Sequence, residues 1–442
     1  MRARPRDLRD LVENIAASLW LVPTLLALLA AGLATLTLFL DETVPTLGGL
    51  QLWLFGGSAS AARSLLSSIA GSLITVIALA FSSTIVAIQQ ASSQFSPRVI
   101  RNFMRDKVNQ ITFGSYVATF VYALLILRQV RDEPSGGSGF VPALSVTVAL
   151  VLALICVGLL IYFIHHTASS LQVATISAAV HRDLRQGIAR LYPHNFADAL
   201  CARGESPPLV PAVPPTDVAR STQAGFLRNI DEDALLANLP DHATFARVRT
   251  QIGAFVFAGA GLVEVWSGAP FSREAEAGLV AAFTIGQERS LDQDLLFGIR
   301  QLVDIALKAL SPGINDPTTA ENCLGHLGDI VAQLGERALP DPWRRDPQSG
   351  AAVLIARPDF SQLVDAAFAQ IRRDAAGDVH VTLALIAVLR GVGERLATVE
   401  RCDAIRRELQ AIEAVLPAQG FAPSDRAAIA QAIVAARESL PA

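Results

Sequence analysis

Eight positions in the second apolar stretch of the chain are spaced alternately by four and three residues, and six of the eight are polar. This spacing places them all on one face of a helix. A column of hydroxyls and amides can line a watery pore if several copies of the helix surround an axis. Alternatively, the same residues can serve close packing against another helix. The candidate pore-lining residues are Ser68, Ser72, Thr75, Leu79, Ser82, Val86, Gln89 and Ser93.

The segment SSQFSPR follows directly on this polar face. Pro97 removes a backbone donor, so the helix is expected to end or bend near Phe95, which becomes a candidate hydrophobic gate. Arg98 and Arg101 then lie at the inner mouth of any path that this helix lines. A ring of such arginines would favour anions, whereas the simpler interpretation is that they anchor the loop on the cytoplasmic side.

Residues 286–320 form the densest polar stretch and contain a second candidate site. Carboxylate and amide oxygens suit Ca²⁺ or Mg²⁺, so four of its side chains could bind a cation or another cytoplasmic ligand if they converged. The alternative is structural, with the acids capping helices and pairing with Arg289, Arg300 and Lys308. The metal, if any, is left unassigned. The four candidate residues are Asp294, Asp304, Asn315 and Asp316.

Motifs of catalysis are absent from the sequence. It contains no HExxH, no GxGxxG before a helix and no GxxxxGK[ST], and no nucleophile–His–acid arrangement is recognisable. Four cysteines, at 156, 201, 323 and 402, lie far apart, which argues against a zinc site or a disulfide framework. We therefore predict a protein that is not an enzyme and has no cofactor.

Composition and charge indicate a membrane protein. The mean hydropathy is +0.41, and 52% of the 442 residues are hydrophobic against 17% charged. The net charge of −4 gives no reason to expect a nucleic-acid partner. The centres of the apolar stretches lack ionisable side chains, which disfavours pumps and proton-coupled carriers. The four candidate spans are residues 14–40, 67–90, 111–127 and 141–164.

Lys and Arg residues beside the spans give the orientation. The N-terminal segment and residues 98–110 are rich in arginine, whereas residues 41–63 contain one arginine and two acids. Both termini and the second loop are therefore expected in the cytoplasm, and the chain in the inner (plasma) membrane.

The fold class expected is an α-helical polytopic membrane protein with a cytoplasmic α/β domain, made of a small β-rich module and a helical bundle. The fourth span is expected to continue as a stalk, because 166–192 keeps a helical apolar period. Six prolines then indicate a linker. The predicted regions are the membrane domain 1–165, the stalk 166–192, the linker 193–223, the β-rich module 224–270 and the helical region 271–442.

The motif FGIRQLVDIALKALSPGINDPTTA at 297–320, preceded by GQERSLDQD, resembles the bacterial membrane-protein family DUF2254. SSQFSPR at 92–98 is a second match, and the resemblance extends over nearly the whole chain. It implies four spans and a cytoplasmic domain. It implies no activity and no catalytic residues, because the family is a domain of unknown function.

Two functional hypotheses remain open from the sequence. The first is a homo-oligomeric channel-like protein in the lipid bilayer, with a passive ion or small-solute path lined by the second span and regulated by the cytoplasmic domain. The second is a non-conducting scaffold or sensor whose cytoplasmic domain binds an unidentified partner or ligand. The direction of the polar face distinguishes the two hypotheses, because a pore requires this face to point away from the other spans of the same chain.

Overall fold

The computed structural model describes residues 20–43, 54–94, 106–131, 140–170, 172–192, 210–240, 242–345, 350–375, 377–396 and 398–441, with 91–94 described by their backbone alone. Contacts divide the chain into two compact units, Met1–Thr175 and Ile176–Ala442. The boundary between them lies inside the predicted stalk.

Four helices of the first unit are long and apolar enough to cross a membrane, as the sequence predicts. The described part of the first predicted span forms α1, and α2 begins at Ala59 rather than at residue 67, so Arg63 lies in its first turns. The helices are α1 (Leu21–Thr43), α2 (Ala59–Gln94), α3 (Lys107–Gln129) and α4 (Ala143–Ser170).

Small residues let α1 and α3 approach closely. A Cβ atom on Gly114 would lie 2.6 Å from Cδ1 of Leu26 and 3.2 Å from Cα of Pro23. Ala30 and Ala34 on α1 are buried as well. Close approach of this kind is how apolar helices gain packing energy where no hydrophobic effect operates between them.

Asp41, at the end of α1, caps the start of α4. Its carboxylate accepts hydrogen bonds from the N–H of Leu144 (2.9 Å), the N–H of Ser145 (3.0 Å) and the hydroxyl of Ser145 (2.6 Å). The Tyr122 hydroxyl donates to the Ser145 carbonyl at 3.2 Å and lies 2.9 Å from the hydroxyl of Thr37. These bonds join three helices at one end of the unit.

The prediction of one continuous helix from the fourth span into the stalk is wrong. α4 ends at Ser170, and α5 (Val173–Leu191) begins separately. The Ser169 hydroxyl donates to the carbonyl of His165 at 2.9 Å, and the Ser170 hydroxyl donates to that of Thr167 at 3.1 Å. Serine side chains that bond the backbone in this way weaken a helix slightly, and both lie in the last two turns of α4.

Two small sheets form the β part of the second unit. The five-stranded sheet has the order β1-β5-β3-β8-β7, and only β3 and β8 run parallel; the three-stranded sheet has the order β4-β2-β6. The strands are β1 (Asp217–Arg220), β2 (Gly225–Ile230), β3 (Ala243–Val248), β4 (Phe255–Val256), β5 (Gly261–Ser267), β6 (Phe283–Gly286), β7 (Trp343–Arg345) and β8 (Ala352–Ile355).

Three predictions about these regions need correction. β1 lies inside the predicted linker 193–223, because Asp217–Arg220 pairs with β5. β6 lies inside the predicted helical region 271–442, where α7 (Arg273–Ala281) ends before the strand begins. β7 and β8 join the sheet from beyond the predicted module 224–270.

The helices of the second unit follow the predicted pattern, and the side chains of Asp231, Ser272, Asp294, Asp316, Asp359 and Asp378 cap them. The remaining helices are α6 (Glu232–Ala237), α8 (Leu295–Leu310), α9 (Pro317–Glu336), α10 (Phe360–Asp374), α11 (Val379–Gly393), α12 (Val399–Val415) and α13 (Pro423–Glu438).

The apolar face predicted for the stalk is buried against α8 rather than left as a free spacer. Ile176, Val180, Leu184 and Ile188 on α5 are all buried. A Cβ atom on Gly298 would lie 2.5 Å from Cδ2 of Leu184, so glycine is what allows α8 to approach α5.

Candidate functional site on helix α2

The polar face of α2 is on the surface of the single chain. Seven of the eight candidate pore-lining residues have described side chains, and all seven are exposed. Even the two apolar members, Leu79 and Val86, are 64% and 60% exposed. Ser93 is helical with its side chain outside the described residues. Phe95, Arg98 and Arg101 also lie outside them, so their roles stay predictions.

The rest of α2 divides into a buried face and an exposed apolar face. Leu66, Ile69 and Leu73 are at most 8% exposed and belong to the core of the first unit. Ile74 and Ile85 are 52% and 42% exposed. At about 100° of rotation per residue, the polar, buried and exposed apolar faces are centred about 120° apart. Among the described residues, no member of the polar face belongs to the core of the first unit.

Hydrogen bonding leaves part of this polar face unsatisfied. Ser68 and Thr75 donate to carbonyl oxygens four residues earlier in α2, at 2.8 Å and 3.1 Å. Ser72, Ser82 and Gln89 have no side-chain hydrogen bond to any described residue. Hydrocarbon supplies no partner for them, and a polar group without one is costly there. The polar face thus favours water or a polar helix as its neighbour.

A cleft of about 260 Å³ adjoins the polar face between α2, α3 and α4. Ser68 and Ser72 form its rim, and Cys156 and Leu160 are among its mostly apolar walls. Tyr116 also lines the cleft, and its buried hydroxyl has no partner among the described residues. The cleft has room for side chains from a neighbouring helix.

A second polar cluster joins the start of α3 to the end of α4. The Asp106 carboxylate caps α3 and lies 2.5 Å from Nε2 of His166. Asn109, Thr112 and Thr167 are buried, and each has a side-chain oxygen without a partner among the described residues. No sequence motif predicted this cluster. The available signal in the sequence was Asp106, which directly precedes a span whose first turn contains polar residues.

Asp294 has a structural role. It is 3% exposed and accepts two hydrogen bonds from Arg289, from Nε at 2.8 Å and from Nη2 at 3.0 Å. It also accepts the N–H of Phe297 at 3.0 Å and so caps α8. These hydrogen bonds indicate that the Asp294 carboxylate stabilises the start of α8.

The four predicted cation ligands do not converge. Asp316 caps α9 by accepting the N–H and hydroxyl of Thr319, at 3.1 Å and 2.6 Å. Asp304 forms an ion pair with the arginine one turn earlier at 2.7 Å, and Asn315 adopts a left-handed backbone with φ of 50°. α8 is 16 residues long. It therefore separates Asp294 from Asn315 and Asp316 by about 24 Å, which corrects the prediction of one site.

A histidine cluster joins α5 to α9. The rings of His181 and His326 stack with centroids 4.7 Å apart, and Nε2 of His181 lies 2.8 Å from the Asp329 carboxylate. Gln333 donates to Asp329 at 2.6 Å, and Arg395 lies 3.7 Å from it. In the described part of the chain, no group of three or more His, Cys, Asp or Glu side chains could hold a metal ion.

We expect this cluster to make the second unit less stable in mild acid. Burial, together with the charge of His181, lowers the pKa of His326 below its ordinary value of 6.5. His326 is therefore protonated more readily in the unfolded chain than in the folded one. The contribution of neutral His326 to the free energy of unfolding is present above about pH 6.5 and is lost as the pH falls through the lowered pKa. When the denaturation midpoint is measured at a series of pH values, it should fall less in acid for His326→Gln than for the wild type. His380→Gln, on the exposed side of α11, is the control and should leave the slope unchanged.

Comparison with known proteins covers both units. The family model described as "Predicted membrane protein (DUF2254)" matches residues 16–391. Uncharacterized proteins of Mycobacterium bovis and Mycobacterium tuberculosis are 32% identical over 437 residues, which is 97% of this chain and 82% of theirs. No solved structure matches the chain.

Proposed function

The chain belongs to the DUF2254 family of predicted membrane proteins, and from that premise we propose that it is a homo-oligomeric channel-like protein of the bacterial inner membrane. Copies of α2 line a passive path for ions or small solutes. The second unit is cytoplasmic and regulates the path, and the protein has no catalytic role.

The observation that carries this proposal is the direction of the polar face. All seven described members are exposed, while a different face of α2 is buried in the first unit. If these hydroxyls served packing within the chain, they would contact α1, α3 or α4. A path lined by hydroxyls, amides and apolar constrictions needs this outward orientation.

Oligomerisation follows from the number of helices. One polar face on one of four helices does not enclose water, so several chains must bring their α2 helices together around an axis. The cleft between α2, α3 and α4 supports such an assembly, since it lies beside the polar face and has about 260 Å³ for a neighbour's side chains.

The location of charge supports a passive path and the proposed orientation. In the four helices, Asp, Glu, Lys, Arg and His occur only near the ends, as at Asp41, Arg63 and His166. Pumps and proton-coupled carriers need such groups at mid-depth. The arginine-rich segments before α1 and before α3 favour a cytoplasmic N-terminus. With an even number of spans, this orientation predicts a cytoplasmic second unit and C-terminus.

Planar-bilayer recording of the purified full chain in asymmetric salt tests the proposal. The channel hypothesis predicts a reproducible current, whose reversal potential reports the preference for anions or cations. Absence of current under varied pH, membrane tension and divalent ions would contradict conduction and favour the scaffold or sensor hypothesis.

A further inference from the structure

Three phenylalanines form an exposed patch on the three-stranded sheet of the second unit. Phe255 is 48% exposed and Phe257 is 70% exposed, and Phe226 is half-buried beside them. The rings of Phe226 and Phe255 meet edge to face at 5.2 Å, and those of Phe255 and Phe257 at 5.3 Å. We call Phe226, Phe255 and Phe257 the aromatic tip. A contiguous exposed apolar patch of this kind marks an interaction surface.

The two segments that carry the aromatic tip, residues 222–230 and 250–262, have no acidic residue of their own. The nearby carboxylates of Asp292 and Asp294 pair with Arg228 and Arg289. Arg220, on strand β1 of the five-stranded sheet, is exposed and donates to the carbonyl oxygen of Gly259, two residues after Phe257, at 3.1 Å. Within the described part of the chain it has no carboxylate partner. Its charge is therefore available to an anionic partner next to the phenyl rings.

We propose that the aromatic tip docks on an anionic lipid surface, with Arg220 at the headgroups and Phe255 and Phe257 in the interfacial region. Aromatic rings beside arginine are the combination that favours the boundary between headgroups and acyl chains. The uncharged loop around the rings adds no group that repels anionic lipid. This docking is independent of whether the protein conducts.

The edge position of β4 is the main reason to consider a protein partner instead. β4 is an outer strand of its sheet, and such edges can pair with another strand. However, β4 has only two residues, Phe255 and Val256. It offers few backbone groups for strand addition, while its phenyl rings are well exposed. The geometry therefore favours lipid over a second chain.

Fluorescence quenching in lipid nanodiscs tests the docking on the full chain. Cys156, Cys323 and Cys402 are buried, so a bimane label reacts at a chosen site once Cys201 is replaced by serine. The label is placed at Phe257→Cys. Nanodiscs of phosphatidylcholine alone, or mixed with phosphatidylglycerol, carry lipids with a nitroxide near the headgroup.

The lipid quencher should reduce bimane emission at position 257 strongly, and more so with phosphatidylglycerol. Val434→Cys is the matched control, because Val434 is 51% exposed on α13, away from the tip in sequence and apolar like it. Arg220→Gln should lower the docking equilibrium constant about fivefold, the effect of one arginine near an anionic surface. Arg220→Lys should restore it.

Two outcomes would overturn the docking. One is equal, weak quenching at positions 257 and 434 in both lipid compositions. The other is a blue-shifted emission at position 257 in detergent without lipid that depends on added unlabelled chain, which would identify a second copy as the partner.

Discussion

Replacement of Asp294 by alanine is expected to lower the free energy of unfolding of the second unit by about 3–5 kcal/mol. The substitution leaves the guanidinium of Arg289, which is only 23% exposed, without its carboxylate partner. It also removes the N-cap of α8, an interaction of about 1 kcal/mol. Gly253, with φ of +86°, passes so close that a Cβ atom there would lie 2.2 Å from Oδ2 of Asp294. The site therefore has little room to rearrange.

Denaturant unfolding of the full chain measures this effect. The chain has four tryptophans, and two of them, Trp266 and Trp343, lie in the second unit. With Trp20 and Trp53 replaced by phenylalanine, fluorescence reports the unfolding of that unit alone. Asp294→Asn retains an oxygen for the cap but loses the charge, so its effect should be intermediate.

Asp292→Ala is the matched control for Asp294. Asp292 is 63% exposed and pairs with Arg228 at 3.4 Å, so its removal should cost about 0–1 kcal/mol. Similar losses for Asp292→Ala and Asp294→Ala would show that the buried ion pair and cap do not hold α8 in place.

Replacement of Ser82 or Thr75 by leucine is expected to reduce current about tenfold, which corresponds to about 1.4 kcal/mol on the barrier to permeation. Each change removes a hydroxyl that can replace part of the hydration of a passing ion and puts an apolar side chain in its place. Apolar constrictions also favour dewetting of a narrow path. Single-channel recording in planar bilayers measures the loss.

Ser67→Leu is the control for both leucine variants, because it makes the same change in the same helix. Ser67 is exposed on the apolar face that also carries Ile74 and Ile85. It should leave the current unchanged. If Ser67→Leu reduced current as much as Ser82→Leu, the loss would report a general effect on α2 and not a lined path.

The sequence predicted elements that depend on local composition. The four membrane helices follow from long apolar stretches without charge, since a span must satisfy its own backbone. Helix starts are equally local, and Asp316, directly before Pro317, caps the beginning of α9. The alternative that Asp294 and Asp316 are structural could be stated from the sequence, but only the structure shows that a whole helix separates them.

Elements that form through contacts between residues far apart in the sequence were not predicted. β1 has four residues, and its partner β5 lies about forty residues later, so nothing local distinguishes it from the linker. The link between Asp106 and His166 likewise joins residues sixty apart. Helical periodicity placed Ser72 and Ser82 on one face. Only the packing of the other helices shows that this face points outward.

Cysteine accessibility tests the central claim, that the polar face of α2 lines water in the membrane. In a chain with Cys201 replaced by serine, Ser72→Cys and Ser82→Cys are compared with Ser67→Cys and Ile74→Cys in liposomes. Thiolates form in water and react with a hydrophilic thiosulfonate, whereas thiols in hydrocarbon stay protonated, so the first pair should react at least about tenfold faster. Equal protection of all four cysteines, or faster reaction at Ile74→Cys, would contradict a water-filled path along this face.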